Sequence, residues 1–153
     1  MTGWRLALTL PAGMALVAAL TACAHLVVLH DPLTASEHGD LGVAYEARGQ
    51  LDLAAKEYHR SLRLDSHNAR VRVNLGNIAA AKGKWAAAES QYRRALRDSS
   101  TDYDAMNNLA IALLKRGRRL DEARTLARRA VDSGGDRDSV YRATLEEVTS
   151  ARP

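Results

Sequence analysis

The chain has 153 residues, of which 46% are hydrophobic and only 5% aromatic, and it contains no phenylalanine. This length allows one modest domain, and its many strong helix formers with only three prolines favour an all-α structure over sheets. The net charge of +4 is spread along the chain rather than concentrated on one arm, which argues against nucleic-acid binding, and the single cysteine excludes a disulfide framework.

The N-terminus has the pattern of an export signal. Arg5 is followed by an uncharged, mostly apolar stretch from Leu6 to Leu20 and then by small residues. The stretch ends in Leu20-Thr21-Ala22-Cys23, which resembles the lipobox of bacterial lipoproteins. The resemblance implies a signal peptide over residues 1–22 and lipidation of Cys23, whose thiol would accept the diacylglyceryl group.

Two other interpretations of this segment stay open. Residues 22–24 also fit ordinary signal cleavage, which would release a soluble periplasmic protein, and residues 6–29 could remain as an uncleaved membrane span. All three place the rest of the chain outside the cytoplasm, in the bacterial cell envelope. If Cys23 is lipidated, residues 23–34 form a tether, and Ala24 in place of aspartate favours the inner leaflet of an outer membrane. The apolar residues 26–29 are expected to pack on the following domain or to lie along the membrane.

From residue 35 onward the sequence repeats itself with a period of 34 residues, which indicates an array of helix pairs. Gly49, Gly83 and Gly117 recur where the first helix of each pair must end and the chain reverse, a position suited to positive φ. An insertion at residues 118–119 shifts the third copy by one residue. The aligned packing positions are Leu41, Leu75 and Leu109; Gly42, Gly76 and Ala110; Tyr45; Ala54, Ala88 and Ala123; and Tyr58 and Tyr92, with Ala127 in the third copy.

These residue types have distinct physical roles. The small residues at the glycine and alanine positions allow the two helices of a pair to approach closely, and the leucines and tyrosines fill the space around that contact. Thr34 to Glu37 form a capping box that opens the first helix, and Asp121 is predicted to cap the second helix of the third repeat.

This pattern resembles the tetratricopeptide repeat, over residues 35–68, 69–102 and 103–137. The resemblance implies a right-handed α-solenoid of three helix–turn–helix repeats that binds another protein. The proline that commonly ends a repeat is replaced by Ser66, Ser100 and Gly135, and Ser61 stands where the second helix usually has alanine.

Residues 138–153 are interpreted as a capping helix and tail. Tyr141, Leu145 and Val148 form an apolar stripe at helical spacing beside charged residues, as expected for a helix that covers the end of a stack. An amphipathic docking arm that leaves the array is the alternative.

In the family the first helices of successive repeats line a concave groove. Asn74 and Asn108 are 34 residues apart and could hold a peptide backbone through both amide groups, or instead only stabilise neighbouring helices. The family's known clamp for acidic C-termini needs a lysine and an asparagine at the positions of Gly39 and Val43, so that clamp is absent. The predicted groove residues are Asp40, Arg70, Asn74, Asn77, Asp104, Asn107, Asn108 and Ile111.

The sequence contains no pattern that predicts catalysis. The five histidines form no metal-binding motif, the acidic pairs are isolated, and no glycine-rich loop could hold a phosphate. We therefore predict neither enzyme activity nor a metal, cofactor or small-molecule substrate. The segment Lys115–Arg119 is the most basic one and is interpreted as a solvated turn, with contact to anionic lipid or an acidic partner as the alternative.

Two functions follow from these predictions. The first is an envelope scaffold that binds a partner peptide or helix and helps assemble a secretion, pilus, outer-membrane or wall complex. The second is an accessory subunit that positions an envelope peptidase or glycan synthase.

Overall fold

Seven helices joined by short turns make up the described part of the chain, residues 31–134 and 136–151 of the computed structural model, and no strand occurs there. The predicted signal peptide and Cys23, the predicted site of lipidation, lie outside these residues. The helices are α1 (Ala35–Ala47), α2 (Leu51–Leu64), α3 (Ala69–Ala81), α4 (Trp85–Asp98), α5 (Tyr103–Lys115), α6 (Leu120–Asp132) and α7 (Asp138–Ser150). None of these helices is long and apolar enough to cross a membrane.

The helices pack as three successive pairs with α7 on the end. In each pair, α1 with α2, α3 with α4 and α5 with α6, the two helices contact each other extensively, and each pair also packs on the next. The last helix, α7, packs on both α6 and α5, where Tyr141 and Val148 are buried. This order confirms the predicted all-α solenoid.

Side-chain caps open the first helix of every repeat. The Oγ1 of Thr34 accepts from the backbone N–H of Glu37, and the carboxylate of Glu37 accepts from the backbone N–H of Thr34, which confirms the capping box. Asn68 and Asp102 occupy the same position in the next two repeats and accept from the backbone N–H of the residue three positions later. These two caps repeat the period of Thr34 and were not recognised from the sequence.

The second helices begin differently, and the prediction for Asp121 is wrong. The N-caps of α2, α4 and α6 are Gln50, Lys84 and Arg119, and none makes a side-chain capping bond. The extra residue of the third turn is accommodated by Arg119, which has a left-handed backbone at φ 55°, so that α6 begins at Leu120. Asp121 therefore lies inside the first turn of α6, where it pairs with Arg124 at 2.9 Å.

The three turn glycines have the backbone that the sequence predicts, with φ of 72° at Gly49, 68° at Gly83 and 59° at Gly117.

The serine at position 61, where the family usually has alanine, has a structural role. Ser61 is fully buried, and its hydroxyl donates to the carbonyl of Ala35 at 2.6 Å, so it ties α2 to the start of α1.

A network of ion pairs joins the second repeat to the third. Arg93 on α4 donates through both terminal nitrogens to Glu122 on α6, at 2.7 and 3.0 Å. Arg93 and Arg116 also both pair with Glu89, which is only 6% exposed. The network lies beside the inserted residue, so it holds the third turn in place on its neighbour.

Candidate peptide-binding groove

Two adjoining cavities lie along the first helices of the repeats, and both are lined by Asn77 and Asn108. The polar cavity has a volume of about 210 Å³ and the apolar cavity about 200 Å³. The polar cavity is lined by Arg70, Val73, Asn74, Asn77, Asp102, Asp104, Asn108 and Arg137. The apolar cavity is lined by Asn77, Ala80, Trp85, Tyr92, Asn108 and Ile111. We call the two together the groove.

Buried tyrosines orient the groove amides. The Tyr92 hydroxyl donates to Oδ1 of Asn77 at 2.9 Å, and the same oxygen accepts from Nδ2 of Asn108 at 3.0 Å. One repeat earlier, Nδ2 of Asn74 donates to the Tyr58 hydroxyl at 3.1 Å, and that hydroxyl donates to Glu46 at 2.8 Å. Burial raises the pKa of both tyrosines well above the ordinary range, so each hydroxyl stays protonated and can donate.

These bonds leave part of each amide for a ligand. Asn74 and Asn108 each use Nδ2 inside the protein, so they do stabilise neighbouring helices. Oδ1 of Asn108 accepts only a long bond of 3.3 Å from Asn107, and Oδ1 of Asn74 accepts none from any described residue. An asparagine held by one N–H keeps its carbonyl oxygen and a second N–H, which are the groups that pair with a peptide backbone.

The charged side chains of the groove are paired with each other. Arg70 on α3 donates to Asp40 on α1 at 3.1 Å, although both side chains are about two-thirds exposed. Arg137 pairs with Asp104 at 2.7 Å, and Asp104 also accepts from the hydroxyl of Tyr141 at 2.9 Å. The bond to Asp104 adds to the burial that raises the pKa of Tyr141 to about 12. The polar cavity therefore contains two arginines, each already partly neutralised by an aspartate, and none of the described residues that line the apolar cavity is charged.

Seven of the eight predicted groove residues are placed at or beside these cavities, and Asn107 is the exception. Asn107 is only 3% exposed, and its Oδ1 is buried without a hydrogen bond to any described residue. Val73, its counterpart one repeat earlier, is also buried, because this position turns inward against the following helices. Asn107 therefore does not present its amide to a ligand.

The predicted groove residues do not include six that line the cavities, namely Val73, Ala80, Trp85, Tyr92, Asp102 and Arg137. Trp85 opens α4 and lines the apolar cavity, and Arg137 lies in the turn before α7 and lines the polar one. Trp85 directly follows the turn that contains Gly83, at the position where the other repeats have Leu51 and Leu120. A tryptophan at a position that is leucine in the other two repeats is the sequence feature that could have identified it as a groove residue.

The predicted packing residues lie mostly in the core that supports the groove. Leu41 and Tyr45 are half-buried, at the N-terminal end of the stack. The fully or nearly fully buried ones are Gly42, Ala54, Tyr58, Leu75, Gly76, Ala88, Tyr92, Leu109, Ala110 and Ala123. Within the ranges 31–134 and 136–151, no three His, Cys, Asp or Glu side chains are grouped so as to hold a metal ion.

Comparisons with known proteins agree with this geometry. The family model described as "Tetratricopeptide repeat" matches residues 39–103 and 73–138, which is more than half of the chain. No curated protein matches the chain significantly.

Several solved structures are similar. The first tetratricopeptide domain of Spaghetti (RPAP3), bound to the HSP90 peptide SRMEEVD, has a TM-score of 0.69 at 19% identity and covers 80% of this chain and 95% of that one. The TPR2B domain of yeast Sti1, in its pHsp70 complex, has a TM-score of 0.71 at 16% identity and covers 77% of this chain and 98% of that one. The second tetratricopeptide domain of human RPAP3, in complex with an HSP70 peptide, has a TM-score of 0.67 at 19% identity and covers 76% of this chain and 96% of that one.

At these identities the solved structures establish the fold alone, and the family match rests on the sequence itself. The period of the helix pairs, the turn glycines and the family match lead to the same result. The chain belongs to the tetratricopeptide repeat family, whose members are typically protein-interaction modules.

Proposed function

We propose that this protein is a membrane-anchored scaffold of the bacterial cell envelope that holds an extended segment of a partner protein in its groove. The observation that carries the proposal is the pair of adjoining cavities, one polar and one apolar, which share the amides of Asn77 and Asn108. A peptide is the ligand that needs both kinds of contact at once, because its backbone is polar and its side chains include apolar ones. The similar domains that were solved with peptides support this assignment.

The charges of the groove indicate which peptides fit. Three carboxylates, from Asp102 and Asp104 in the lining of the polar cavity and from Asp40 beside it, accompany two arginines, although the whole chain has a net charge of +4. Gly39 and Val43 stand where a clamp for an acidic C-terminus would need its lysine and asparagine. The preferred segment is therefore neutral or basic, with one apolar side chain that fills the cavity beside Trp85 and Ile111.

A peptide library tests the groove assignment directly. We expect library peptides that bind the protein to share an apolar residue and to lack a C-terminal acidic motif. Ile111→Asp should weaken the selected peptides at least about tenfold, because it places a charge in the apolar cavity. Val140→Asp is the matched control, since Val140 is an exposed apolar residue on α7. Equal binding by the two variants, or enrichment of acidic C-termini, would contradict the assignment.

The membrane anchor is proposed from the sequence pattern around Cys23. We expect Cys23→Ala to abolish incorporation of labelled fatty acid and to move the protein from the membrane fraction to the soluble fraction or to an unprocessed precursor. His25→Ala, two residues away, should change neither. If the parent takes up no labelled fatty acid and Cys23→Ala leaves its membrane fractionation unchanged, the protein is not a lipoprotein and an uncleaved membrane span takes its place.

A further inference from the structure

The two edges of the solenoid carry opposite charge. Successive helices are antiparallel, so all turns from a first to a second helix lie at one edge, at residues 48–50, 82–84 and 116–119. Six of these ten residues are basic and none is acidic. The turns at the opposite edge contain Asp65, Asp102 and Asp136, with Arg137 as their one arginine or lysine. We call the first set of turns the basic edge.

Half of the basic edge has a structural role. Lys82 pairs with Asp52, Arg116 pairs with Glu89, and Arg119 pairs with Glu122 at 2.8 Å. These three cations hold the second and third turns against their own or a neighbouring second helix. Their charges are neutralised within the fold.

The other half makes no side-chain hydrogen bond or ion pair with the described residues, although Lys84 is near enough to Asp52, the partner of Lys82, to attract its carboxylate. Arg48, Lys84 and Arg118 are exposed, and none of them has a side-chain hydrogen bond or ion pair to any residue in the described part of the chain. They are distributed one to each turn, so each repeat presents along this edge one exposed cation that forms no ion pair with the described residues.

The stability of the fold does not account for two of these three. Arg48 is the C-cap of α1, where the helix dipole favours a positive charge. Lys84, in contrast, is the N-cap of α4 and makes no capping bond, and Arg118 precedes the N-cap of α6. The dipole disfavours cations at helix N-termini, so neither residue stabilises the helix that it precedes.

The spacing of the three cations suits a linear ligand. Neighbouring helices pack about 10 Å apart, so the row extends over roughly 20 Å from the first turn to the third. An extended polypeptide rises about 3.3 Å per residue, so about six residues span the row. We infer that the basic edge is a second interaction surface, separate from the groove, which binds an acidic stretch of a partner polypeptide.

The test compares two triple charge reversals in the full-length protein held in non-ionic detergent. The edge variant is Arg48→Glu, Lys84→Glu and Arg118→Glu. The control variant is Arg94→Glu, Arg97→Glu and Arg129→Glu, three exposed cations of the second helices that likewise have no side-chain partner among the described residues. Both variants change the net charge equally, so they separate the edge from charge in general.

The probe is a fluorescent octa-glutamate peptide whose binding is followed by anisotropy, with octa-glutamine as the neutral reference. We expect the protein and the control variant to bind octa-glutamate at low salt and to release it as the ionic strength rises. The edge variant should bind it at least about tenfold more weakly. A glutamine triple at the same positions should also weaken binding, and circular dichroism should show the same helix content in all proteins.

Three results would overturn the inference. The first is no binding of octa-glutamate, and the second is an equal loss in the edge and control variants, which would indicate general charge attraction. The third is binding to vesicles that contain anionic phosphatidylglycerol, lost in the edge variant, when octa-glutamate does not bind. That outcome would make the edge a membrane contact. Because Ile111→Asp leaves this edge intact, failure of the groove assignment remains distinguishable.

Discussion

Gly76→Ala is expected to destabilise the protein by about 2 kcal/mol, although alanine is the better helix former. A Cβ atom at residue 76 would lie within 3.0 Å of the ring of Tyr92, which is 2% exposed and cannot move away without disrupting the core. The same arrangement joins Gly42 to Tyr58 in the first repeat. Urea unfolding followed by circular dichroism measures the effect.

The third repeat suggests how the effect can be reversed. There the glycine position is Ala110 and the tyrosine position is Ala127, and both are fully buried. Tyr92→Ala alone should cost about 3–5 kcal/mol through the cavity that it leaves. In that background, Gly76→Ala should no longer destabilise and should gain up to about 1 kcal/mol from helix propensity.

Gly39→Ala is the matched control for the close approach. Gly39 is also a buried helical glycine, but a Cβ atom there would meet its nearest neighbour, Val71, at an ordinary 3.4 Å. We expect this variant to be as stable as the parent or slightly more stable. A loss at residue 39 as large as that at residue 76, or a loss at residue 76 that persists without the Tyr92 ring, would contradict the account of the helix contact.

Glu89→Gln should have an effect of similar size, about 2 kcal/mol near neutral pH, by leaving Arg93 and Arg116 without a buried carboxylate. Burial disfavours ionisation of Glu89, but hydrogen bonds from the two arginines outweigh it and lower the pKa of the carboxyl below its ordinary 4.5. The hydrogen bond from Arg93 likewise lowers the pKa of Glu122. Both carboxyls therefore titrate at lower pH in the folded than in the unfolded protein.

The pH dependence follows from this direction. A lowered folded-state pKa adds stability that is present above the unfolded pKa and is lost as the pH falls through the folded one. The free energies of unfolding of the parent and of Glu89→Gln should therefore differ most above pH 4.5 and converge below it. Glu146→Gln, at an exposed site on α7, should change stability by less than about 0.5 kcal/mol at any pH. A difference that stays constant down to strongly acidic pH would rule out the ion pairs as its source.

The repeat architecture could be predicted because its constraints are periodic. The turn glycines have positive φ, and the glycines of the first helices lie against a neighbouring tyrosine ring, so few other residues fit at either position. The 34-residue spacing of these glycines is therefore visible in a single sequence. The groove was predicted less well for two reasons. The first is that helical periodicity does not separate Asn107 from Asn108, because neighbouring residues on a helix differ in direction by only about 100° and the packing of other helices decides which of them is covered.

Residues outside the periodic pattern could not be placed from sequence. Arg137 reaches Asp104 from a turn, and turns have no repeating geometry that predicts where a side chain ends. The prediction that Asp121 caps α6 was wrong for the same reason, since the left-handed conformation of Arg119 sets where α6 begins. The ion pairs across the groove and around Glu89 join residues about 30 positions apart, which only the packed repeats bring together.

Site-specific photocrosslinking in intact membranes tests the central claim most directly. A photoreactive residue is placed at Arg70 or Ile111 in the groove and, as a control, at Arg94 or Arg129 on the second helices. The account predicts that both groove positions crosslink to one continuous segment of one partner, mapped by mass spectrometry, and that a library-selected peptide competes with it. Crosslinks only from the control positions, or groove crosslinks that the peptide does not displace, would contradict the proposal that this groove binds the partner.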